Sequence, residues 1–109
     1  MIRVIIEREI AEGLERFYET AIADLLDILA REPGYLSGES LVELHHPNRY
    51  MVVTRWSSEQ AWNRWFHSSR RQELANEIRP FLLNDEKFTL VAPAQIPSRR
   101  LTHDGRHNI

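Results

Sequence analysis

The segment IRVIIERE, residues 2–9, is the stretch from which the fold can be worked out. Polar and apolar residues alternate through much of it, and β-branched side chains dominate, which is typical of a β-strand. Val4 and Ile6 share one face, whereas Ile5 shares the other with Glu7. The segment therefore predicts a strand that carries apolar side chains on both faces.

The rest of the sequence alternates between helical and extended patterns. An apolar stripe of helical period predicts a helix over residues 14–31, which Glu32-Pro33-Gly34 ends. The other predicted elements are a strand at 35–44, a turn at 45–48, a strand at 49–56, a helix capped by Ser57, a helical stretch at 71–78 after a break at Ser68-Ser69, and a strand at 87–92.

This order of elements, βαββαβ, predicts a ferredoxin-like α+β fold with a four-stranded antiparallel sheet. Both helical segments are expected on the same face of that sheet. Residues 1–92 would form one domain. Residues 93–109 lack periodicity and predict a C-terminal tail that is either loose or reaches a partner subunit.

The two-sided apolar character of the predicted sheet favours a homodimer. Val52 points opposite to Met51 and Val53, so the third strand, like the first, has apolar side chains on its uncovered face. Each buried aliphatic side chain contributes roughly 1.5–3 kcal/mol, and two-fold symmetry is the commonest oligomeric arrangement. Arg55 shares this face, where it needs either an ionic partner or a place at the wet rim.

Composition limits the classes of partner. The chain has 109 residues, of which 42% are hydrophobic and 28% charged, with a net charge of −2 and no cysteine. Neither nucleic acid nor a membrane is expected as a partner, because no basic surface and no apolar run of about 20 residues is apparent. Charges interrupt the first apolar stretch, which argues against a signal peptide and predicts a cytoplasmic location.

Several short motifs, in this order and spacing, resemble the antibiotic biosynthesis monooxygenase domain over about residues 2–92. The resemblance implies a dimeric α+β barrel. Some members of that family oxidise aromatic substrates with dioxygen and without metal or flavin, others oxidise quinols, and a related branch degrades haem. The motifs are IRVIIER at 2–8, EPGYLSGE at 32–39, PNRYMV at 47–52 and WSSEQAW at 56–62, followed by Trp65.

The resemblance to the haem-degrading branch is incomplete. That branch uses an Asn on the first strand, a Trp on the second helix and a His about ten residues later. Trp65 matches the Trp, but the strand offers Ile6 and Glu7, and Ala75 stands where the His is required. We therefore expect no cofactor and no metal, with haem binding as a minor alternative.

The aromatic group Trp62, Trp65 and Phe66 is the first candidate for a site. These side chains either pack in the core or form the flat walls of a pocket for an aromatic substrate. Trp65 is predicted to shape the pocket. His67 or Glu7 is predicted to assist proton transfer from a phenol, although the pattern favours a surface position at a helix end for His67.

The remaining candidates would bind substrate. Tyr18 and Tyr50 could offer hydroxyl groups to a phenol or quinone, and Arg55 could face the pocket, the dimer interior or solvent. The sequence thus predicts a cofactor-independent monooxygenase that acts on a small aromatic or quinone-type molecule. The alternative is a non-catalytic module, related to stress or to binding a hydrophobic ligand.

Overall fold

The computed structural model describes residues 1–96. It has the predicted order of elements, with the second helical region divided into two helices and a single turn of 3₁₀ helix at Arg79–Phe81. The strands and helices are β1 (Ile2–Glu9), α1 (Glu15–Leu29), β2 (Tyr35–Glu43), β3 (His46–Trp56), α2 (Glu59–Phe66), α3 (Ser69–Ile78) and β4 (Lys87–Val91).

The four strands form one antiparallel sheet in the order β2-β3-β1-β4. β1 lies between β3 and β4, and the helices connect strands that are not neighbours, which is the ferredoxin-like arrangement. The predicted α+β fold is therefore confirmed. None of the helices in the described part of the chain has the length and hydropathy of a transmembrane segment.

The two faces of β1 differ as the alternation predicts. Val4, Ile6 and Ile10 are buried beneath the helices, whereas Ile5 and Glu7 on the opposite face are half-buried. The same alternation continues on β3 and places the core between the sheet and the helices. The opposite face, which we call the open face, is not covered by any element within residues 1–96.

The turn between β2 and β3 is shorter than predicted. Glu43 pairs with His46, so that a two-residue link replaces the predicted turn at 45–48, and β3 begins at His46. Asn48 instead hydrogen-bonds to Ile10, just after β1. Its carbonyl accepts from the Ile10 N–H at 2.8 Å, and its side chain donates to the Ile10 carbonyl at 3.2 Å.

The prediction that Ser57 caps the second helix is wrong by one residue. Ser58 has extended backbone angles, and its hydroxyl oxygen accepts from the Ala61 N–H at 3.1 Å. Ser57 instead donates its backbone N–H to the Gly34 carbonyl at 2.8 Å. Ser68 caps α3 in the same way as Ser58, which explains the predicted break in the helical region.

Gly34 joins the end of α1 to β2 under two constraints. Its φ of +87° is a conformation that side chains disfavour. A Cβ atom at this position would also collide with the Cβ of Ala61 and lie 3.0 Å from the Ser57 hydroxyl. Gly34 therefore sets how closely α2 approaches the start of β2.

Replacement of Gly34 by alanine is expected to destabilise the fold by about 2–4 kcal/mol, the sum of backbone strain and overpacking. Gly13 is the matched control, because its φ is +91° and nothing lies within 4 Å of the position of its added Cβ. Urea unfolding should give a loss of only about 1–2 kcal/mol for Gly13→Ala, from strain alone. Equal losses for the two variants would show that the collision with Ala61 is unimportant.

Candidate functional site

The aromatic side chains of α2 point toward the sheet. Trp62 and Trp65 are each 4% exposed, and Phe66 is half-buried. The ring of Trp62 lies 5.6 Å from that of Trp56 on β3 and 6.1 Å from that of Phe88 on β4, centroid to centroid. Helical spacing thus directs these residues into the layer between α2 and the sheet.

A small cleft lies beside Trp62 and Trp65, between α1, α3 and the sheet. Its cavity is about 20 Å³, enough for roughly one water molecule. Its walls are mostly aliphatic, with contributions from Ile6, Val52 and Leu74, but two arginines, Arg8 and Arg71, also line it. The cleft is therefore narrow and contains cationic groups.

Arg8 is the principal charged residue of the interior. It continues the buried series of β1, and only 3% of its side chain is exposed. Its Nη2 lies 2.6 Å and its Nε 2.7 Å from the same oxygen of Glu86, the residue before β4. Its Nη1 donates to the Tyr18 hydroxyl at 3.1 Å. These contacts provide the partners that a buried charge requires.

Arg71 on α3 approaches the same carboxylate from the other side. Its Nη2 lies 3.2 Å from the second oxygen of Glu86. Its guanidinium carbon lies 4.7 Å from the centroid of the Phe66 ring and 5.2 Å from that of Phe88, within cation–π range. Burial lowers the pKa of Arg71, which the charge of Glu86 partly offsets.

Tyr18 and Tyr50 form a second polar group next to Arg8. Their ring centroids are 4.7 Å apart, and the Tyr50 hydroxyl donates to the Glu19 carboxylate at 2.6 Å. Burial raises the pKa of Tyr18, against the opposing charge of Arg8. The pKa of Tyr50 is also raised, first by burial and then by its hydrogen bond to Glu19. Both phenols are therefore neutral hydrogen-bonding groups at pH 7.

The predicted site residues fall into separate places. Five lie on the helix side of the sheet. Glu7 and Arg55 project from the open face instead, and Glu7 lies 3.8 Å from Lys87 in an exposed ion pair. The five on the helix side are Trp62, Trp65, Phe66, Tyr18 and Tyr50.

His67 is outside the cleft. It follows the last residue of α2 and is exposed, and its Nδ1 lies 2.9 Å from the Asn63 carbonyl, a contact in which the ring donates. Its ring meets the Phe66 ring edge to face at 5.1 Å. The structure therefore does not bring His67, Glu7 and Trp65 together.

Glu7 belongs to a broad groove on the open face. The groove has a volume of about 680 Å³ and is lined by apolar side chains such as Leu41 and Met51 together with charged groups. Glu9 and Glu43 add negative charge at this end of the sheet. The open face thus has the larger cavity, whereas the helix side has the aromatic walls.

A model of the antibiotic biosynthesis monooxygenase family matches residues 1–77. The chain belongs to this family. The match covers β1 to α3, and so includes Arg8 and the aromatic residues of α2. The resemblance inferred from the sequence motifs is confirmed.

Solved structures of similar proteins share the fold of this chain. A structure of an antibiotic biosynthesis monooxygenase aligns with a TM-score of 0.79 and 17% identity over 87% of this chain and 100% of that one. SnoaB, a cofactor-independent oxygenase from Streptomyces nogalater, aligns with a TM-score of 0.75 and 19% identity over 90% and 98%. These likenesses show a shared fold.

A more distant sequence relative is Protein SchA of Streptomyces halstedii. It is 22% identical over 81 residues, which is 74% of this chain and 21% of that protein. The chain therefore spans about a fifth of the length of this relative.

Haem does not fit the cleft of this family member. Ala75 lines the cavity with a methyl group at the position where the haem-degrading branch requires an imidazole. Within residues 1–96, no group of three or more metal-binding side chains is clustered. Among the described residues, no histidine lines the cleft, so the cleft lacks the axial ligand that haem chemistry of that branch needs.

Sequence reasoning missed Arg8, Arg71 and Glu86. A signal for Arg8 was present, because it follows Val4 and Ile6 in the series that faces the helices. Nothing comparable marked Glu86, which is brought to Arg8 only by the pairing of β4 with β1.

The tyrosines provide a test of this geometry. The pKa of each of Tyr18, Tyr35 and Tyr50 is raised, with burial as the main cause. The unfolded chain therefore loses tyrosine protons at a lower pH than the folded chain, and stability should fall as pH rises above about 10. Absorbance at 295 nm should show little tyrosinate at pH 10 until urea unfolds the protein.

Tyr50→Phe removes one of these groups and should make the fall in stability with pH less steep. A native protein that ionises all three tyrosines near pH 10 would contradict the buried arrangement.

Proposed function

We propose that this protein is a cofactor-independent monooxygenase that acts on a small aromatic or quinol-type molecule, held in the cleft between the three helices and the sheet. The observation that carries the proposal is the meeting of aromatic walls, Trp62 and Trp65, with the fixed hydrogen-bonding groups Arg8 and Tyr18 beside one buried cleft. Membership of the monooxygenase family and similarity to the oxygenase SnoaB support it.

The chemistry needs an electron-rich anion rather than a bound cofactor. Loss of a proton from a phenol gives a phenolate, which transfers one electron to dioxygen to form a phenoxyl radical and superoxide. Their combination at a ring carbon bearing hydrogen gives a peroxide anion, which takes back the proton to form a hydroperoxide, and loss of water leaves a quinone. The net change is one phenol plus one dioxygen to one quinone plus one water.

The roles of individual residues follow from where they lie. Trp65 forms one wall of the cleft, and Arg8 stabilises negative charge on a substrate oxygen. His67 is exposed at the end of α2 and Glu7 lies on the open face, so neither reaches a substrate in the cleft within one subunit. Glu86 is the carboxylate that contacts both cleft arginines, and it can accept a proton from the substrate only after it has left them.

Substrate entry requires the cleft to widen. An aromatic ring is several times larger than a cavity of about 20 Å³, so side chains must move before it can bind. The segment between the 3₁₀ turn and β4 contains the exposed residues Leu83, Asn84 and Asp85. Its backbone is tied to β1, because the Leu83 N–H donates to the Glu9 carbonyl at 2.9 Å, so entry would begin with the Glu86 side chain leaving the arginines.

The narrow cleft also favours a second candidate function. A filled interior is what a non-catalytic module presents in the absence of ligand. Such a module would bind a hydrophobic molecule in the same place without turnover.

Oxygen uptake distinguishes these functions. With a panel of naphthols and quinols, the wild-type protein should consume dioxygen, and Trp65→Phe should lower kcat/KM about tenfold, equivalent to about 1.4 kcal/mol. Trp56→Phe is the matched control, because Trp56 is a fully buried tryptophan outside the lining of the cavity. Its kcat/KM should stay near that of the wild type once folding is verified by circular dichroism.

The outcomes separate cleanly. No uptake with any compound, combined with a raised Tm of the protein in their presence, would refute the monooxygenase function and favour the non-catalytic binding module. Equal losses for Trp65→Phe and Trp56→Phe would remove Trp65 from the site.

We also propose that the open face is covered by a second copy of the chain, as in a dimeric α+β barrel. At the centre of this face Ile5 pairs with Val53 across β1 and β3, and both are half-buried in a single chain. Arg3 and Arg55 face each other at one end, where the Arg55 Nε is buried without a hydrogen-bond partner in residues 1–96.

The charges on this face are arranged to favour one orientation of the partner. Arg3 and Arg55 lie at one end of the strands, and Glu7, Glu9 and Glu43 lie toward the other. Two cations accompany the glutamates there: Lys87 lies 3.8 Å from Glu7, and Arg49 lies 3.9 Å from Glu43. A two-fold axis that lies between the sheets and perpendicular to the strands would place the arginine end of each copy over the glutamate end of the other. Like charges directly opposed would be unfavourable.

Light scattering tests this interface. The wild-type protein should be a dimer at micromolar concentration, and Val53→Glu should yield a folded monomer by adding charge at its centre. Leu44→Glu is the control, because Leu44 lies in the hairpin turn with 90% of its surface exposed. A wild-type protein that is a stable monomer would refute the barrel.

A further inference from the structure

The charges at the buried cleft do not balance. Arg8 and Arg71 bring two positive charges to one carboxylate, that of Glu86, whose side chain is 15% exposed. The Tyr18 hydroxyl that accepts from Arg8 is neutral. Because both guanidinium groups converge on one carboxylate, this point of the structure is a binding site for an anion, which Glu86 occupies.

Glu86 lies between two spaces. On its inner side are Arg8 and Arg71, which line the cleft. On its outer side is a surface depression of about 390 Å³ that Glu86 lines together with Leu82, Phe88 and Arg79. A ligand in the depression therefore needs to displace only the Glu86 carboxylate to reach both guanidinium groups.

We propose that the Arg8–Arg71 pair binds the acidic group of an aromatic ligand, and that Glu86 occupies this anion site until the ligand displaces it. That this ligand is also the substrate rests on the proposed function. The ligand class is an aromatic monocarboxylate.

The chemistry of the site fits that class. Two guanidinium groups on opposite sides of a carboxylate provide donors to both of its oxygens, as they now do for Glu86. Phe88 and Leu82 provide apolar contact for the ring at the outer end of the site. Asp85 also lines the depression, so a dianionic ligand would bind less well than a monoanion.

Calorimetric titration with 2-naphthoate and 2-naphthol tests the proposal at pH 7, where only the first is charged. The wild-type protein should bind naphthoate about tenfold more tightly than naphthol, as expected for hydrogen bonds to a charged group. Acetate should bind far more weakly than naphthoate. Equal affinities for naphthoate and naphthol, or no binding of either, would overturn the proposal, and equal affinities for naphthoate and acetate would remove the requirement for a ring.

Arg71→Gln should abolish the preference for naphthoate. Arg70→Gln is the matched control, because it removes the same charge from the adjacent residue, which is exposed and pairs with Glu73. Equal effects of the two substitutions on naphthoate affinity would mean that binding depends only on the overall charge of the protein.

Glu86→Gln separates the proposed displacement from a purely structural role. If Glu86 competes with the ligand, Glu86→Gln should bind naphthoate about threefold to tenfold more tightly, and naphthoate should raise its Tm more than that of the wild type. If Glu86 only stabilises the fold, the variant should lose stability without gaining affinity for naphthoate. That result would refute the displacement of Glu86 by the ligand.

The oxygen-uptake assay separates this inference from the proposed function. Tight naphthoate binding that depends on Arg71, without oxygen uptake from any phenol, would support the anion site and refute the monooxygenase function. Turnover of neutral quinols, without a preference for naphthoate in binding, would support the monooxygenase function and refute the anion site.

Discussion

The central position of β1 is the constraint on which the rest of the structure depends. Its backbone is hydrogen-bonded to β3 on one side and β4 on the other, so the register of both neighbours is fixed. Alternate side chains must therefore enter the layer beneath the helices, and Arg8 enters it in sequence after Val4 and Ile6. The strand register therefore buries the charge of Arg8, and the surrounding elements have to provide its partners.

That accommodation links parts of the chain that are far apart in sequence. Glu86 directly precedes β4, Tyr18 lies on α1 and Arg71 on α3, and all of them meet at or beside the Arg8 guanidinium. A buried ion pair adds little net stability compared with apolar packing of similar volume, whereas the loss of one partner is costly. The value of the cluster is therefore positional, because it fixes α1, α3 and β4 relative to the sheet.

Much of this could be predicted from local pattern, and the errors have identifiable causes. β1 was placed correctly because its alternation is a property of consecutive residues. The hairpin turn was misplaced because Pro47 and Asn48 are typical of turns, whereas here Asn48 bonds to Ile10, far away in sequence. Arg8 was missed because only apolar residues were counted in the buried series. The role of Glu86 depends on strand pairing, which no local pattern shows.

The same alternation restricts how a mechanism can be assembled. Glu7 and Trp65 lie on opposite sides of one sheet, so no movement short of breaking β1 from its neighbours can join them within a subunit. The sequence already contained this conflict, because Glu7 shares a face with Ile5 and not with Val4. Acid–base chemistry at the cleft must therefore use groups that reach it from the helix side, of which Glu86 and Tyr18 already contact Arg8. Glu7, in contrast, can act only in the open-face groove, where a second copy of the chain would provide the opposing wall.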